Sequence, residues 1–414
     1  MSKYQVSIAK RNGATVKETV RRAVDLVGGL EKYVKPGQSV LLKPNYTGLL
    51  TPGTGAVTSL EVQEAIVLLL QEMGVTDITI GDGCGTVHIG TTRIFEETGV
   101  KAMADRLGVK TIDLNQDKMV EKSDPRFREI DKVRVSQTLY NVDLVINIPV
   151  IKTHAMTNAT AASKNLKGGI APNEKRRFHK ILLHQAIADM LCIMPPVLTI
   201  VDGLVAQEGL GPAEGTPVPL DVIMAGDNTV AVDGVILEIM QMPLEEVKHL
   251  EYAVEMGLGS CDLNDIEVLG DPIPSIGRPF RRATTDVKEY PGVEIYTENA
   301  CCGCISTMVI ALNRMNAIGD LQKFKDLQVC CGTSLPAGVE IKNMCFLGRC
   351  TRALYAKYSK DPATADKVHL ICEGCAPCAL EVEEGIREVY HIDRSDPNFC
   401  FASAESIEEQ KNKE

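Results

Sequence analysis

The first 270 residues alternate short β-branched runs with amphipathic helical patterns, and this alternation most restricts the fold. Runs at 5–10 and 39–42 are typical of strands. Residues 16–27 have apolar positions at helical spacing behind Thr15, a suitable N-cap. Residues 143–150 are nearly all apolar, as in a strand buried on both faces of a parallel sheet. We therefore predict an α/β fold with mostly parallel sheet flanked by helices.

The cysteines are distributed unevenly along the chain and indicate a division into regions. Of 14 cysteines, 11 lie between Cys301 and Cys400. A stretch rich in Pro and Gly at 270–279 precedes them and is typical of a boundary, and the region beyond it continues to mix strands with helices. The predicted organisation is an α/β domain, a cysteine-rich α/β region and a charged tail, at 1–275, 276–402 and 403–414.

Composition excludes several classes of protein. A net charge of −11 over 414 residues, with no Trp, disfavours nucleic-acid binding. No apolar stretch approaches the roughly 18 residues that a membrane span needs, and the first residues carry no apolar block typical of a secretory signal. We expect a cytoplasmic protein, in which short cysteine spacings indicate metal binding and not disulfides.

The strongest metal motif is Cys372-Glu-Gly-Cys375-Ala-Pro-Cys378, a double C-x-x-C run whose spacing lets three thiolates converge. Further candidate ligands lie in a Cys-Cys-Gly-Cys run and a Cys-Cys-Gly run, namely Cys301, Cys302, Cys304, Cys330 and Cys331. The surplus of thiols favours an iron–sulfur cluster of the 4Fe-4S type, with a structural zinc site as the alternative. The order of these motifs also resembles the CCG modules of heterodisulfide-reductase-type proteins.

The number of ligands would decide the role of such a cluster. Three cysteines leave one iron open for a substrate atom, which favours Lewis-acid or sulfur chemistry. A fourth cysteine makes electron transfer the simpler role. The sequence leaves both alternatives open.

Residues 152–180 reverse the charge of the protein, with seven Lys or Arg and a single acid, Glu174. A dense cationic segment can attract a small anion, although charge runs are usually solvated helix faces. The Lys152-Thr153-His154 run directly follows the predicted strand at 143–150, where open α/β sheets place ligands. We assign Lys152, His154 and His179 as candidate catalytic residues. Lys152 is chosen for its position after the predicted strand, and the two histidines because imidazole titrates near neutral pH.

Other polar groups follow predicted strands. A glycine-rich stretch at 207–215, predicted as a loop, lacks the spacing and the following helix of a dinucleotide fingerprint. The candidate substrate-binding residues are Lys43, Asn45, Lys164, Asn165 and Asp202.

Several of these motifs carry a resemblance. Leu42-Lys43-Pro44-Asn45, the run from Lys152 to Gly168, His179, Asp202-Gly203 and the run from Gly226 to Asp233 resemble, in order, the iron–sulfur-centre family known as domain of unknown function DUF362. The resemblance implies an α/β domain linked to a ferredoxin-like cluster, with a fold distantly similar to nickel-dependent lactate racemases. The chain departs from the usual C-x-x-C-x-x-C-x-x-x-C-P insert, so its cluster ligands must come from the carboxyl-terminal cysteines.

The leading hypothesis is an iron–sulfur oxidoreductase acting on a small anionic metabolite held by the lysines. One alternative is a non-redox dehydratase, racemase or sulfur-transfer enzyme with an open iron. Another is an electron carrier or metal-binding scaffold that docks a redox partner protein through its basic segment. The sequence leaves open whether the protein forms an oligomer.

Overall fold

The computed structural model describes residues 4–85, 90–283, 287–375 and 377–393; the side chains of Glu214 and Cys302 fall outside this description. The chain forms two compact units. The first holds the residues up to Lys175 together with His184–Arg282, and the second holds Arg176–Leu183 and the described residues from Ala283 onward. A short segment from the middle of the chain therefore belongs with the carboxyl-terminal residues.

The first unit is built on a mixed sheet with helices around it. Its strands are β1 (Tyr4–Lys10), β2 (Ser39–Lys43), β3 (Asp77–Asp82), β4 (Lys110–Asp113), β5 (Met119–Lys122), β6 (Val133–Ser136), β7 (Leu144–Asn147), β8 (Val150–His154), β9 (Asn158–Thr160), β10 (Val197–Leu210), β11 (Glu214–Gly226) and β12 (Ile266–Gly270). Its helices are α1 (Val16–Leu26), α2 (Leu60–Glu72), α3 (Thr91–Glu97), α4 (Val100–Leu107), α5 (Thr138–Asn141), α6 (Ala162–Asn165), α7 (Pro172–Lys180), α8 (Leu183–Leu191), α9 (Thr229–Met240) and α10 (Lys248–Glu255). The last residues of α7 and the first residue of α8 belong to the second unit.

The main sheet has the order β12-β1-β11-β10-β7-β2-β3-β4, and β8 and β9 extend it from β10. Pairs from β4 through β3, β2 and β7 to β10 are parallel, whereas β11 is antiparallel to both of its neighbours. This confirms the predicted α/β fold with a mostly parallel sheet. The parallel strands end at one edge, where their last residues meet.

Local chemistry explains why the first helix begins where it does. The Thr15 side chain accepts a hydrogen bond from the Glu18 backbone at 3.2 Å, and Glu18 accepts one from the Thr15 backbone at 2.8 Å. These reciprocal bonds satisfy helix-terminal amides that have no partner within the helix. Val20, Ala23 and Val24 then face the core.

Two predictions about strands are wrong. The stretch 143–150 is not one strand, because β7 ends at Asn147 and β8 begins at Val150, with Pro149 unable to donate a ladder hydrogen bond between them. Lys152 and His154 therefore lie within a strand and not after one.

The predicted glycine-rich loop at 207–215 is mostly strand. Strands β10 and β11 pair as a long antiparallel hairpin that reaches Leu210 and Glu214. The Gly209 backbone amide donates to the Arg281 carbonyl at 2.9 Å, and the Gly209 carbonyl accepts from the Thr153 hydroxyl at 2.9 Å. Pairing with neighbouring strands thus overrides the local turn tendency of glycine.

The second unit contains a four-stranded parallel sheet with the order β13-β14-β15-β16. The strands are β13 (Val293–Tyr296), β14 (Leu327–Cys330), β15 (Asn343–Leu347) and β16 (Val368–Cys372), and the helices are α11 (Cys302–Ala317), α12 (Arg352–Tyr358) and α13 (Ala379–Tyr390). This region is α/β and rich in cysteine, as predicted. Within the described residues, no helix is both long and apolar enough to cross a bilayer.

Candidate functional site

A buried ion pair stands at the parallel-strand edge of the first unit. Lys43 ends β2 and Asp82 ends β3, and these strands are neighbours. The Lys43 Nζ donates to Asp82 Oδ1 at 2.7 Å, and neither side chain is more than 3 % exposed. The other oxygen, Asp82 Oδ2, accepts from the Tyr46 backbone at 2.7 Å. Both charges are thus compensated in a place that excludes water.

Asparagines connect this pair to Lys152. Asn165 donates to Asn147 Oδ1 at 2.8 Å and accepts from Asn45 Nδ2 at 3.1 Å. The Lys152 Nζ donates to Asn45 Oδ1 and to the Ala56 carbonyl, the latter at 2.7 Å. The structure therefore brings together four predicted site residues, Lys43, Asn45, Lys152 and Asn165, in one buried polar network.

The amine of Lys152 has an unusual environment. Its side chain is 1 % exposed, and the hydrogen-bond acceptors around its Nζ are neutral carbonyl oxygens. Burial lowers the pKa of Lys152 to about 7, although the charge of Asp82 acts in the opposite direction. An amine with this pKa can gain or lose a proton near neutral pH, as a general acid or base must.

Sequence reasoning missed Lys175 as a site residue. Its Nζ donates to the Gly83 carbonyl and to Asn115 Oδ1, each at 2.7 Å, and to the Gly168 carbonyl at 3.0 Å. Burial lowers the pKa of Lys175 to about 8. In the sequence Lys175 is one of several cations in a basic run, and nothing there signals that it turns inward.

Other predicted site residues lie elsewhere in the units. His154 is buried in β8, and its Nδ1 accepts from the Met156 backbone at 3.0 Å. Asp202 accepts from the Ser59 and Leu204 amides at 2.7 Å and 3.2 Å and lines a cavity of about 470 Å³. His179 belongs to the second unit. Its backbone carbonyl lies so close to Gly374 that a Cβ added to Gly374 would lie 1.7 Å from the carbonyl oxygen. Lys164 is partly exposed on α6.

In the second unit, a cysteine follows each strand of the parallel sheet. Cys301, Cys331, Cys350 and Cys375 come after the carboxyl ends of β13, β14, β15 and β16, respectively. Because the carboxyl ends of parallel strands meet at one edge, this order places four thiols along that edge.

The electrostatics show which thiols are neighbours. A thiol hydrogen bond with Cys301 and burial raise the pKa of Cys304 strongly, and the charges of Cys331 and Cys375 add to this rise. The same hydrogen bond, with the amides of Cys304 and Gly303, lowers the pKa of Cys301 to about 5. We call Cys301, Cys304, Cys331 and Cys375 the edge thiols.

Cys350, which follows β15, also contributes to the raised pKa of Cys375, after burial and the charge of Cys301. The other cysteines of this unit are placed differently. Cys330 is fully buried in β14 and packs in an apolar cluster with Met344 and Phe346. Burial raises the pKa of Cys372, and the charges of Cys378 and Cys345 contribute to the same rise. The side chain of Cys302 and all of Cys400 lie outside the described residues. The C-x-x-C-x-x-C run is therefore split, with its middle thiol among the edge thiols.

Within the parts of the chain that the structure describes, no three or more His, Cys, Asp or Glu side chains converge closely enough to hold a metal ion. The edge thiols are neighbours, yet their sulfur atoms are not collected around a common point. Four thiols are nevertheless the donor set that both a 4Fe-4S cluster and a structural zinc ion require.

Comparison with known proteins places part of this chain among relatives. It is 29% identical over 252 residues to the thylakoid-associated protein sll1697 of Synechocystis sp., covering 58% of this chain and 74% of that protein.

Two solved structures show a weaker likeness. The lactate racemase apoprotein from Thermoanaerobacterium thermosaccharolyticum is 13% identical with a TM-score of 0.37, over 98% of this chain and 90% of that one. A protein from Thermotoga maritima is 11% identical with a TM-score of 0.37, over 80% and 70% of the two chains. Likeness at this level carries no information about function.

The family comparison covers the strand ends of the first unit. Residues 40–238 match the family described as "Domain of unknown function (DUF362)". The matched stretch includes Lys43, Asp82, Lys152 and Asn165, the residues of the buried polar network. Residues 40–238 therefore form a DUF362-like segment.

Proposed function

We propose that this chain is an iron–sulfur oxidoreductase whose cluster, of the 4Fe-4S type, is bound by the edge thiols. The observation that carries the proposal is the proximity of these four thiols at the carboxyl edge of the parallel sheet, where Cys301, Cys331 and Cys375 follow β13, β14 and β16. Cysteine thiolates are the usual ligands of such clusters, and the bound group would supply one-electron transfer.

The chain's own residues favour thiolate ligation at this edge. Cys301 is the N-cap of the 16-residue helix α11, so backbone amides stabilise negative charge on its sulfur. Gly348 leaves room beside the cluster of thiols, since a Cβ there would lie 3.0 Å from the Cys304 sulfur.

The substrate that we propose is a small anionic metabolite held in the first unit. Lys43 is fixed by Asp82, whereas Lys152 is held by neutral acceptors and can exchange a proton near neutral pH. Lys152 is therefore the proton-transfer residue that we favour, and His154 is the second candidate. Asn45 and Asn165 orient the Lys152 amine through their amide groups.

Zinc is the second candidate for the edge thiols, because four thiolates also make a tetrahedral structural zinc site. Elemental analysis distinguishes the two. Protein purified without oxygen should contain about four iron atoms with matching sulfide per chain. About one zinc and no sulfide would refute the cluster and leave the thiols a structural role.

Adjacent cysteines offer a matched pair of variants. Cys331→Ala removes an edge thiol and should lose most of the iron and sulfide, whereas Cys330→Ala removes a core thiol and should keep them. Iron and sulfide per chain, with the far-ultraviolet circular dichroism of each variant, are the measurements. Equal metal content in the two variants would contradict the proposed ligand set.

A further inference from the structure

Two histidines that the sequence analysis did not single out lie side by side in the first unit. His184 is the second residue of α8 and His249 the second residue of α10. Their ring centroids are 6.2 Å apart and their planes are inclined by 32°. His249 is 1 % exposed, whereas His184 is partly exposed. Both residues stand where a helix begins.

Each ring has a polar atom without a partner. The Nδ1 atoms of His184 and His249 are buried and have no hydrogen-bond partner among the described residues. A buried polar atom that lacks a partner costs free energy, and native proteins rarely leave one so. Two such atoms on neighbouring rings leave two positions that a polar ligand could satisfy.

The charge around the pair indicates the sign of this ligand. Besides burial, the charges of Lys164 and Lys248 lower the pKa of His184 to about 4. Burial and the charges of His184 and Lys164 lower the pKa of His249. Burial lowers the pKa of Lys164 as well, and the charges of Lys167 and Lys152 lower it further.

No carboxylate in the described residues contributes to these three shifts. Lys248 is paired with Glu251 at 2.6 Å, so the charge that an anionic ligand would balance is that of Lys164, for which the described residues show no acidic partner.

We propose that Lys164, His184 and His249 bind an oxyanion, the carboxylate or phosphate group of a small metabolite. In the tautomer that carries the proton on Nδ1, each ring offers an N–H donor, and Lys164 adds an ammonium group. The positive ends of α8 and α10 favour the same charge. The inference rests on the proposed function in one respect, because the oxyanion is taken to be part of the anionic substrate proposed there.

Imidazole signals provide a direct test, because the chain has only seven histidines. The protein is labelled with ¹³C at the histidine Cε1 position and titrated with inorganic phosphate or malonate, against sodium chloride at equal ionic strength. The His184 and His249 signals, assigned from His184→Gln and His249→Gln, should shift and saturate with phosphate or malonate only. A response to malonate alone identifies a carboxylate, and a response to phosphate alone identifies a phosphate.

Lysine variants make the test specific. Lys164→Met should weaken binding at least roughly tenfold, because it removes a charged hydrogen-bond donor. Lys110→Met is the matched control, since Lys110 is exposed and pairs with Asp77, and it should bind like the unmodified protein. Equal shifts in chloride, or unchanged binding in a folded Lys164→Met variant, would overturn the inference.

The two proposals fail separately. Iron and sulfide are measured on the same samples. Anion binding by protein that lacks iron and sulfide refutes only the cluster, and a full cluster without anion binding at the histidine pair refutes only the oxyanion site.

Discussion

Breaking the buried pair between Lys43 and Asp82 should be among the most damaging single changes to the first unit. Lys43→Met leaves the carboxylate with the Tyr46 and Gly83 amides as its donors, at 2.7 Å and 2.9 Å. Asp82→Leu leaves the ammonium group with carbonyl acceptors only, Pro44 at 3.1 Å and Asn165 at 3.4 Å. Each change leaves a charged group without its partner in a place that water does not reach.

The expected magnitude follows from burial. Removing one partner of a buried ion pair typically costs about 3 to 5 kcal/mol. Lys43→Met should lie at the lower end of that range, because two amides still solvate Asp82, and Asp82→Leu should cost more. The double variant removes both charges, so its cost should fall short of the sum of the single costs by about 2 kcal/mol.

Urea unfolding followed by far-ultraviolet circular dichroism, with all four members of the cycle, measures these free energies. An exposed pair in the same sheet is the control. Lys110 and Asp77 join β4 to β3 at 2.8 Å with side chains 73% and 54% exposed, so their removal should change stability little. Additive costs in the Lys43 and Asp82 cycle, or equal costs for the two pairs, would refute the reasoning.

Two more predictions concern the same network. Gly168→Ala should lower the urea midpoint, because its Cβ would lie 2.3 Å from Asp82 Oδ1 and 2.6 Å from Lys43 Nζ. An unchanged midpoint would show that the helical turn at 166–169 shifts easily. Lys152 has a pKa of about 7 when folded against an ordinary value of 10.5, so the unfolded chain binds more protons between these values. The unmodified protein should therefore gain stability over Lys152→Met as pH rises from about 7, by up to about 1.4 kcal/mol per pH unit. Urea midpoints of both proteins at several pH values test this, and a constant difference between them would contradict it.

Features that depend on local periodicity were predictable from the sequence. The helix behind Thr15 and the buried strands around Leu41 and Val145 follow from patterns within a few residues. Pro149 marks the break between β7 and β8 locally, whereas the long hairpin around Gly209 depends on pairing with distant strands. Periodicity cannot show such pairing, because partners far apart in sequence provide the hydrogen bonds.

The site was predictable only in part, for the same reason. Lys43, Asn45, Lys152 and Asn165 could be selected because they follow predicted strands or lie in the basic segment. Their partner Asp82 is 39 residues from Lys43, and nothing local marks it as the counter-ion of a buried lysine. His184 and His249 begin two helices 65 residues apart, a spacing that no motif describes. The fold alone brings such residues together.

The adjacent cysteines show how a strand end can separate two identical side chains. Successive residues of a strand point to opposite faces, and Cys330 is the last residue of β14. Its side chain fills the core beside Phe346, and the next residue, Cys331, leaves the strand toward Cys301 and Cys304. A Cys-Cys pair at the end of a parallel strand thus provides one packing residue and one candidate ligand. Cys375 is likewise the member of the C-x-x-C-x-x-C run that belongs to the edge thiols, so the candidate ligands are selected by their position in the fold and not by the number of cysteines.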